Sequence, residues 1–245
     1  MPMNSRLLRP RASGFDPRTI SNLRMWFDAT DASTITTVSG AVSAWNSKVG
    51  GITSSQSTAN NRPAYLATGM NGKPAVDFDG SNDFLTTTYN ANLITGYVTY
   101  AAAVIPDSPN AACAILGARG STANGGPVRS TDATARWTLS HRDMAVTYAN
   151  TSGGLIQNVN QVVLTTINAT TLTVRVNGSQ STVTSTFAAG SNETNAVFDI
   201  ARDATPTPRF FNGTFGEILM YDRTLTASEL LSIERYLARK WGVTL

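Results

Sequence analysis

Residues Phe211 to Gly242, FNGTFGEILMYDRTLTASELLSIERYLARKWG, carry a β-rich segment straight into one amphipathic helix. No other feature constrains the fold as much, because everything before it reads almost wholly as β. The helix is dictated locally. Thr226 and Glu229 have the spacing of a capping box, in which the threonine hydroxyl accepts from the Glu229 N–H and the glutamate reaches back to the N-cap N–H. Leu230, Ile233, Leu237 and Trp241 recur at helical spacing and form one apolar stripe. Arg235, Arg239 and Lys240 oppose the dipole near the C-terminal end, and Gly242 suits the residue that ends a helix. The stripe is expected to pack on a sheet; the alternative is a helix that offers a groove-binding face to a partner.

The strands ahead of the helix follow from period-2 patterning. Arg24–Asp28, Ala41–Asn46 and Pro74–Asp79 are three of them, the last placing Val76 and Phe78 on one face and Asp77 and Asp79 on the other. Gly96–Ile105 is long and apolar, as a central strand covered on both faces should be. Arg136–His141 and Met144–Tyr148 read as a pair. Gln161–Ile167 precedes Thr171–Val176, whose Leu172, Val174 and Val176 alternate with Thr171, Thr173 and Arg175; Asn177-Gly178 then supplies a type I′ hairpin turn. Val197–Ala201 and Phe215–Tyr221 complete the series. About a dozen strands at roughly 8–15-residue spacing predict an all-β, two-sheet antiparallel jelly-roll sandwich. A single domain of 245 residues suits that class.

Charge is concentrated at the N-terminus. Residues 1–24 hold Arg6, Arg9, Arg11, Arg18 and Arg24 against Asp16 alone, about +4, so with a total of +3 the remainder is nearly neutral. Residues 1–22, with Pro10, Pro17 and no apolar period, read as an extended basic arm ordered only against something else, and residues 23–245 as the domain, with its helix at 226–241. Arg6, Leu7, Leu8, Arg9, Arg11 and Phe15 are the groups such an arm would anchor with. Deleting residues 1–20 is then expected to leave the domain folded. An acidic protein surface suits the arm better than nucleic acid, since no basic–aromatic interleaving accompanies the arginines. No stretch is long and apolar enough to span a membrane, and no apolar h-region marks a secretory signal. The lone Cys113 lies in an apolar run and reads as an inert buried thiol.

Several segments together resemble a known family. Trp26-Phe-Asp-Ala-Thr-Asp31, Asn61-Arg-Pro-Ala-Tyr65 and Gly72–Leu85 (GKPAVDFDGSNDFL) are similar to the N-terminal half of concanavalin A-like (laminin-G-like) jelly-roll domains. Thr173–Gly178 resembles that family's penultimate hairpin, and Gly213–Thr226 its closing strand and turn into the helix. The terminal Tyr236-Leu-Ala-Arg-Lys-Trp-Gly242 is similar to forms in bacterial surface proteins and bacteriophage virion proteins, and Arg6–Gly14 resembles the attachment peptide of small phage structural proteins. The resemblance implies a virion protein anchored by its arm to capsid or tail, made in the host cytoplasm, and displaying a lectin-like body for adhesion to a host-surface glycan. A capsid decoration protein without a ligand is the alternative, and a bacterial carbohydrate-active enzyme is the alternative of another class. Self-association is left open.

Retaining glycoside hydrolysis needs two carboxyl groups about 5–5.5 Å apart, and in the jelly-roll hydrolases they come from a Glu-x-Asp-x-Glu strand. The four glutamates, Glu193, Glu217, Glu229 and Glu234, form no such motif; the nearest analogue is Asp77-x-Asp79, and the expectation is a protein without catalysis. The single histidine, His141, shares strand parity with Trp137 and Leu139 and reads as a hydrogen-bonded, partly buried side chain. Asp79, Asn82 and Asp83 offer closely spaced oxygens for calcium, or else cap a β-turn. Trp137, Arg142 and Tyr148 are the candidates for glycan stacking and hydrogen bonding, although such a tryptophan more often fills a sandwich core.

Overall fold

The computed structural model describes residues 14–90, 97–107, 114–117, 127–131, 137–143, 145–150, 155–169, 171–184, 197–203 and 208–245. One layer is built on β19 (Asn212–Tyr221) and β8 (Tyr97–Pro106), antiparallel partners from Gly213↔Pro106 to Tyr221↔Thr99. β8 pairs with β13 (Gln161–Asn168), β13 with β14 (Thr171–Val176), and β14 with β15 (Ser179–Thr184). The other edge of β19 is shared: its first half pairs with β6 (Lys73–Asp79), its second half with β1 (Leu23–Asp28). The change of partner falls at an irregularity between Phe215 and Glu217.

The opposite layer begins where β5 (Ala64–Met70), paired to β6, touches β3 (Ala41–Asn46). β3 pairs with β2 (Ile35–Val38) and β4 (Thr53–Ser55). From β4 the order continues through β7 (Leu85–Asn90), β16 (Val197–Ile200) and β9 (Ala114–Gly117). β10 (Pro127–Thr131), β11 (Trp137–Asp143) and β12 (Ala145–Asn150) follow. Every pairing is antiparallel and the hydrogen bonding is continuous, so one sheet folds over itself into a sandwich. β17 (Arg202–Asp203) and β18 (Arg209–Phe210) form a separate small ribbon.

Side-chain alternation explains why the helix α1 (Ala227–Trp241) must sit where it does. Along β1, Met25 and Phe27 enter the core between the layers, whereas Trp26 points the other way. Ala102 and Val104 of β8, Val163 of β13, and Ile218 and Met220 of β19 join the inner core; Ala101, Ala103, Val162, Leu164, Leu219 and Tyr221 face outward and are also buried. Strands apolar on both faces need a cover on the outside. Ile233, Leu237 and Trp241 of α1 supply it, as the stripe predicted. The capping box is present, and Gly242 ends the helix with φ 69°. The predicted I′ turn is present too, with Asn177 and Gly178 at φ 45° and 88°.

The N-terminal boundary differs from the sequence reading. Residues 14–22 lie on the domain instead of forming part of a free arm. Pro17–Thr19 makes a 3-10 turn capped by Asp16, Ile20 is buried, and the Tyr221 hydroxyl donates to the Pro17 carbonyl at 3.0 Å. The reason is the outer apolar surface: α1 leaves part of it open, and Phe15 and Ile20 close the gap. Arg6, Leu7, Leu8, Arg9, Arg11 and Cys113 lie outside the described residues.

Candidate functional site

The described acidic side chains show what chemistry the sandwich can do. Glu217, fully buried on β19, accepts from the indole N–H of Trp26 (2.6 Å) and of Trp241 (2.9 Å), from the Tyr236 hydroxyl (2.7 Å), and pairs with Lys240 Nζ (2.8 Å). Asp28, its cross-strand partner, is held by Lys240 (2.7 Å), Lys48 (3.1 Å) and Thr30 (2.7 Å). Burial is the largest single influence on Asp28 and would raise its pKa, but Lys240, Thr30 and Lys48 together outweigh it and the carboxyl is held below its usual range. Glu234 is equally buried; it accepts from Arg175 and from the Gly178 N–H at 2.7 Å, tying α1 to the hairpin turn. These carboxylates are surrounded by donors under the helix and face no cleft.

Asp77 accepts from the Thr214 hydroxyl, and Asp79 Oδ1 accepts from the N–H groups of Ser81, Asn82 and Asp83, so the Asp77-x-Asp79 pair belongs to a strand end and its turn. Asp83 closes the turn by accepting from the Asp79 N–H, and burial pushes its pKa up to about 6. For calcium this is a poor fit. Only Asn82 Oδ1 is enclosed without a partner, whereas calcium takes six to eight oxygens. Among the described residues no group of three or more His, Cys, Asp or Glu could hold a metal ion.

The glycan candidates fare differently. Trp137 is 1% exposed, donates its indole N–H to Gln161 Oε1 at 3.1 Å and packs against Phe211. It is core, because β11 turns its first residue into the inner cluster; it cannot stack on a sugar. Arg142 and Tyr148 occupy β11 and β12, in register with Val146 and Ser140, but the two side chains, and that of His141, lie outside the description. A second aromatic cluster, Phe84 with Phe210, is also closed: the Arg202 guanidinium lies 3.4 Å over Phe84, held there by Asp199.

An open concavity of about 370 Å³ remains where β1, β7 and β19 end, lined by Arg24, Gly50, Ile52, Tyr89 and Asp222. Arg24 Nε lies 3.3 Å from Asp222 Oδ2, so a guanidinium and a carboxylate stand side by side over the apolar Ile52 and Tyr89. Burial, with the Asp222 carboxylate nearby, pushes the Tyr89 pKa up to about 12, so the phenol stays protonated. Gly50, at φ 71°, lets the backbone close on β1: a Cβ there would meet the Arg24 carbonyl at 2.7 Å. Paired donors and acceptors over an apolar wall suit a polyhydroxylated ligand. Its parts are scattered through the chain, and only Arg24 drew notice in the sequence, as a charge.

A folded-over antiparallel sandwich, buried on both faces of one layer and with an open concavity at its rim, is the architecture of a jelly-roll β domain. The chain belongs to the concanavalin A-like lectin/glucanases superfamily, whose model matches residues 79–231. No curated protein matches the chain in sequence. Among solved structures it is similar to the Trypanosoma rangeli sialidase in complex with sialic acid, at 16% identity and TM-score 0.63, over 92% of this chain and 34% of that one. It thus spans about a third of the sialidase chains it matches. Domain 4 of AbnA, a GH43 extracellular arabinanase from Geobacillus stearothermophilus in complex with arabinotriose, is similar at 14% identity and TM-score 0.59, over 87% of this chain and 98% of the domain. The CBM40 of a Ruminococcus gnavus IT-sialidase bound to α2,3-sialyllactose is similar at 13% identity and TM-score 0.53, over 65% and 95%. At these identities the likeness is one of fold.

Proposed function

We propose that this protein is a non-catalytic glycan-binding module displayed on a bacteriophage particle, anchored by Arg6, Leu7, Leu8, Arg9 and Arg11. The observation that supports the non-catalytic reading is the state of three buried carboxylates: Glu217 and Asp28 beneath α1, and Glu234 on its inner face, are each engaged by hydrogen-bond donors. The lectin-type fold and the Arg24–Asp222 concavity support glycan binding. The particle assignment draws on the basic N-terminal segment and on the resemblance of both chain ends to virion proteins.

A glycan array probed with the full chain tests the binding half: a defined glycan class should be retained, and lost in Arg24→Ala and Asp222→Ala variants. Retention of none favours a decoration protein, and release of reducing sugar from any retained polysaccharide overturns the non-catalytic reading. Removing residues 1–13 should abolish attachment to particles. That cut replaces the longer deletion of residues 1–20, which would take Phe15, Pro17 and Ile20 out of the domain.

A further inference from the structure

Along the flank of α1, a groove of about 380 Å³ runs between the helix and the docked N-terminal segment. It is lined by Gly14, Phe15, Ser232, Arg235, Tyr236 and Arg239, with Lys240 at its back. The floor is aromatic: the Phe15 and Tyr236 rings meet at 5.7 Å and 51°. Ser232 is occupied within the helix, donating to the Ser228 carbonyl. Lys240 is neutralised by Asp28 and Glu217.

The two arginines are the unusual element. Elsewhere among the described residues Arg18, Arg24, Arg175, Arg202 and Arg223 each have a carboxylate partner. Arg62 donates to the Gln56 and Ser57 carbonyls, and Arg209 stands singly on the small ribbon with no carboxylate partner among the described residues. Arg235 and Arg239 have none there, are exposed, and stand four apart on one helical face, where like charges oppose each other. A pair of uncompensated guanidinium groups over an aromatic floor is complementary to carboxylates flanking an apolar side chain. Gly14, at the lip, is also where the basic N-terminal segment joins the domain, so positive charge continues from groove to segment along the chain.

We infer that this groove is a docking site for an acidic segment of a partner protein, its carboxylates taken by Arg235 and Arg239 and a neighbouring apolar side chain seated on Phe15 and Tyr236. Side chains four apart on an acidic helix would match the arginine spacing. Two free charges over an apolar floor suit such a segment better than nucleic acid, whose phosphates need an extended basic track. The inference is independent of glycan binding and of the Arg24–Asp222 concavity.

The test is fluorescence anisotropy of the full chain with a labelled peptide of alternating glutamate and phenylalanine, against a counterpart carrying lysine for glutamate. The acidic peptide should bind saturably and weaken with salt. Binding should fall about tenfold in the Arg235→Glu/Arg239→Glu variant and by less in Arg235→Gln/Arg239→Gln, as loss of two exposed ion pairs implies. The melting temperature of both variants should hold, since both side chains are exposed. Absent binding, equal binding of the lysine peptide, unchanged affinity in either double variant, or displacement of the acidic peptide by duplex DNA would overturn the assignment.

Discussion

Glu217 is met by four donor side chains from two elements: Trp26 of β1, and Tyr236, Trp241 and Lys240 of α1, the lysine also neutralising Asp28. Removal of Glu217 leaves two indole N–H groups and a phenol without their acceptor, and Lys240 with Asp28 as its one carboxylate partner among the described residues. Glu217→Ala should therefore cost about 3–5 kcal/mol in urea unfolding; a loss below ~1 kcal/mol would show that the network adds little. The sequence listed this glutamate only as one that fails to complete a hydrolase motif. Nothing local marks it, because its donors lie far away in the chain. Asp83 gives a second residue-scale expectation. Its folded pKa of about 6 stands above the ordinary aspartate value of 3.8, so between these values the folded state holds a proton that the unfolded state has lost. Stability then declines as pH rises through that window and is level above it. Asp83→Asn keeps an acceptor for the Asp79 N–H and should flatten the decline; urea midpoints from about pH 4 to pH 7 are the measure.

At the level of elements, α1 depends on the strand beneath it. Gly216 lies where β19 changes partner, and a Cβ there would lie 2.7 Å from the Trp241 ring. Gly216→Ala should cost about 1–3 kcal/mol by overpacking and should perturb the near-ultraviolet signal of the tryptophan. The start of the helix carries an acid-labile contribution. The Arg223 guanidinium, together with the capping contacts of Thr226, holds the Glu229 pKa down at about 2, below the ordinary glutamate value of 4.5. A depressed carboxylate pKa stabilises fully above the unfolded value and loses that effect as pH falls toward 2. Melting temperature should thus fall on acidification below about pH 4.5, and by less in Arg223→Ala. The capping half of this contribution was legible at once, since a capping box is written in four consecutive residues; the Arg223 partner of Glu229 was not. Short polar strands were not. β2, β4 and β15 carry threonine and serine with little apolar alternation, and β2 exposes most of its residues, so only pairing to neighbours makes them strands.

For the whole molecule, the docked N-terminal residues decide where the domain begins. Removing residues 1–13 should leave the thermal midpoint unchanged, whereas removing residues 1–22 should lower stability by on the order of 2–4 kcal/mol, since Phe15, Ile20 and the Tyr221–Pro17 hydrogen bond go with them. Equal midpoints for the two truncations would restore the boundary at residue 23. The sequence alone determined the sandwich class, the closing helix with both its caps, and the Asn177-Gly178 turn, because each rests on periodicity or on contacts within a few residues. Tertiary structure decided the rest. It put Trp137 in the core, turned Asp79 and Asp83 into turn supports, gathered Arg24, Tyr89 and Asp222 around one concavity, and laid Phe15 beside Arg235 and Arg239. Those outcomes depend on which strands become neighbours and on which face each side chain then occupies, and that information appears only when the sheet folds over itself.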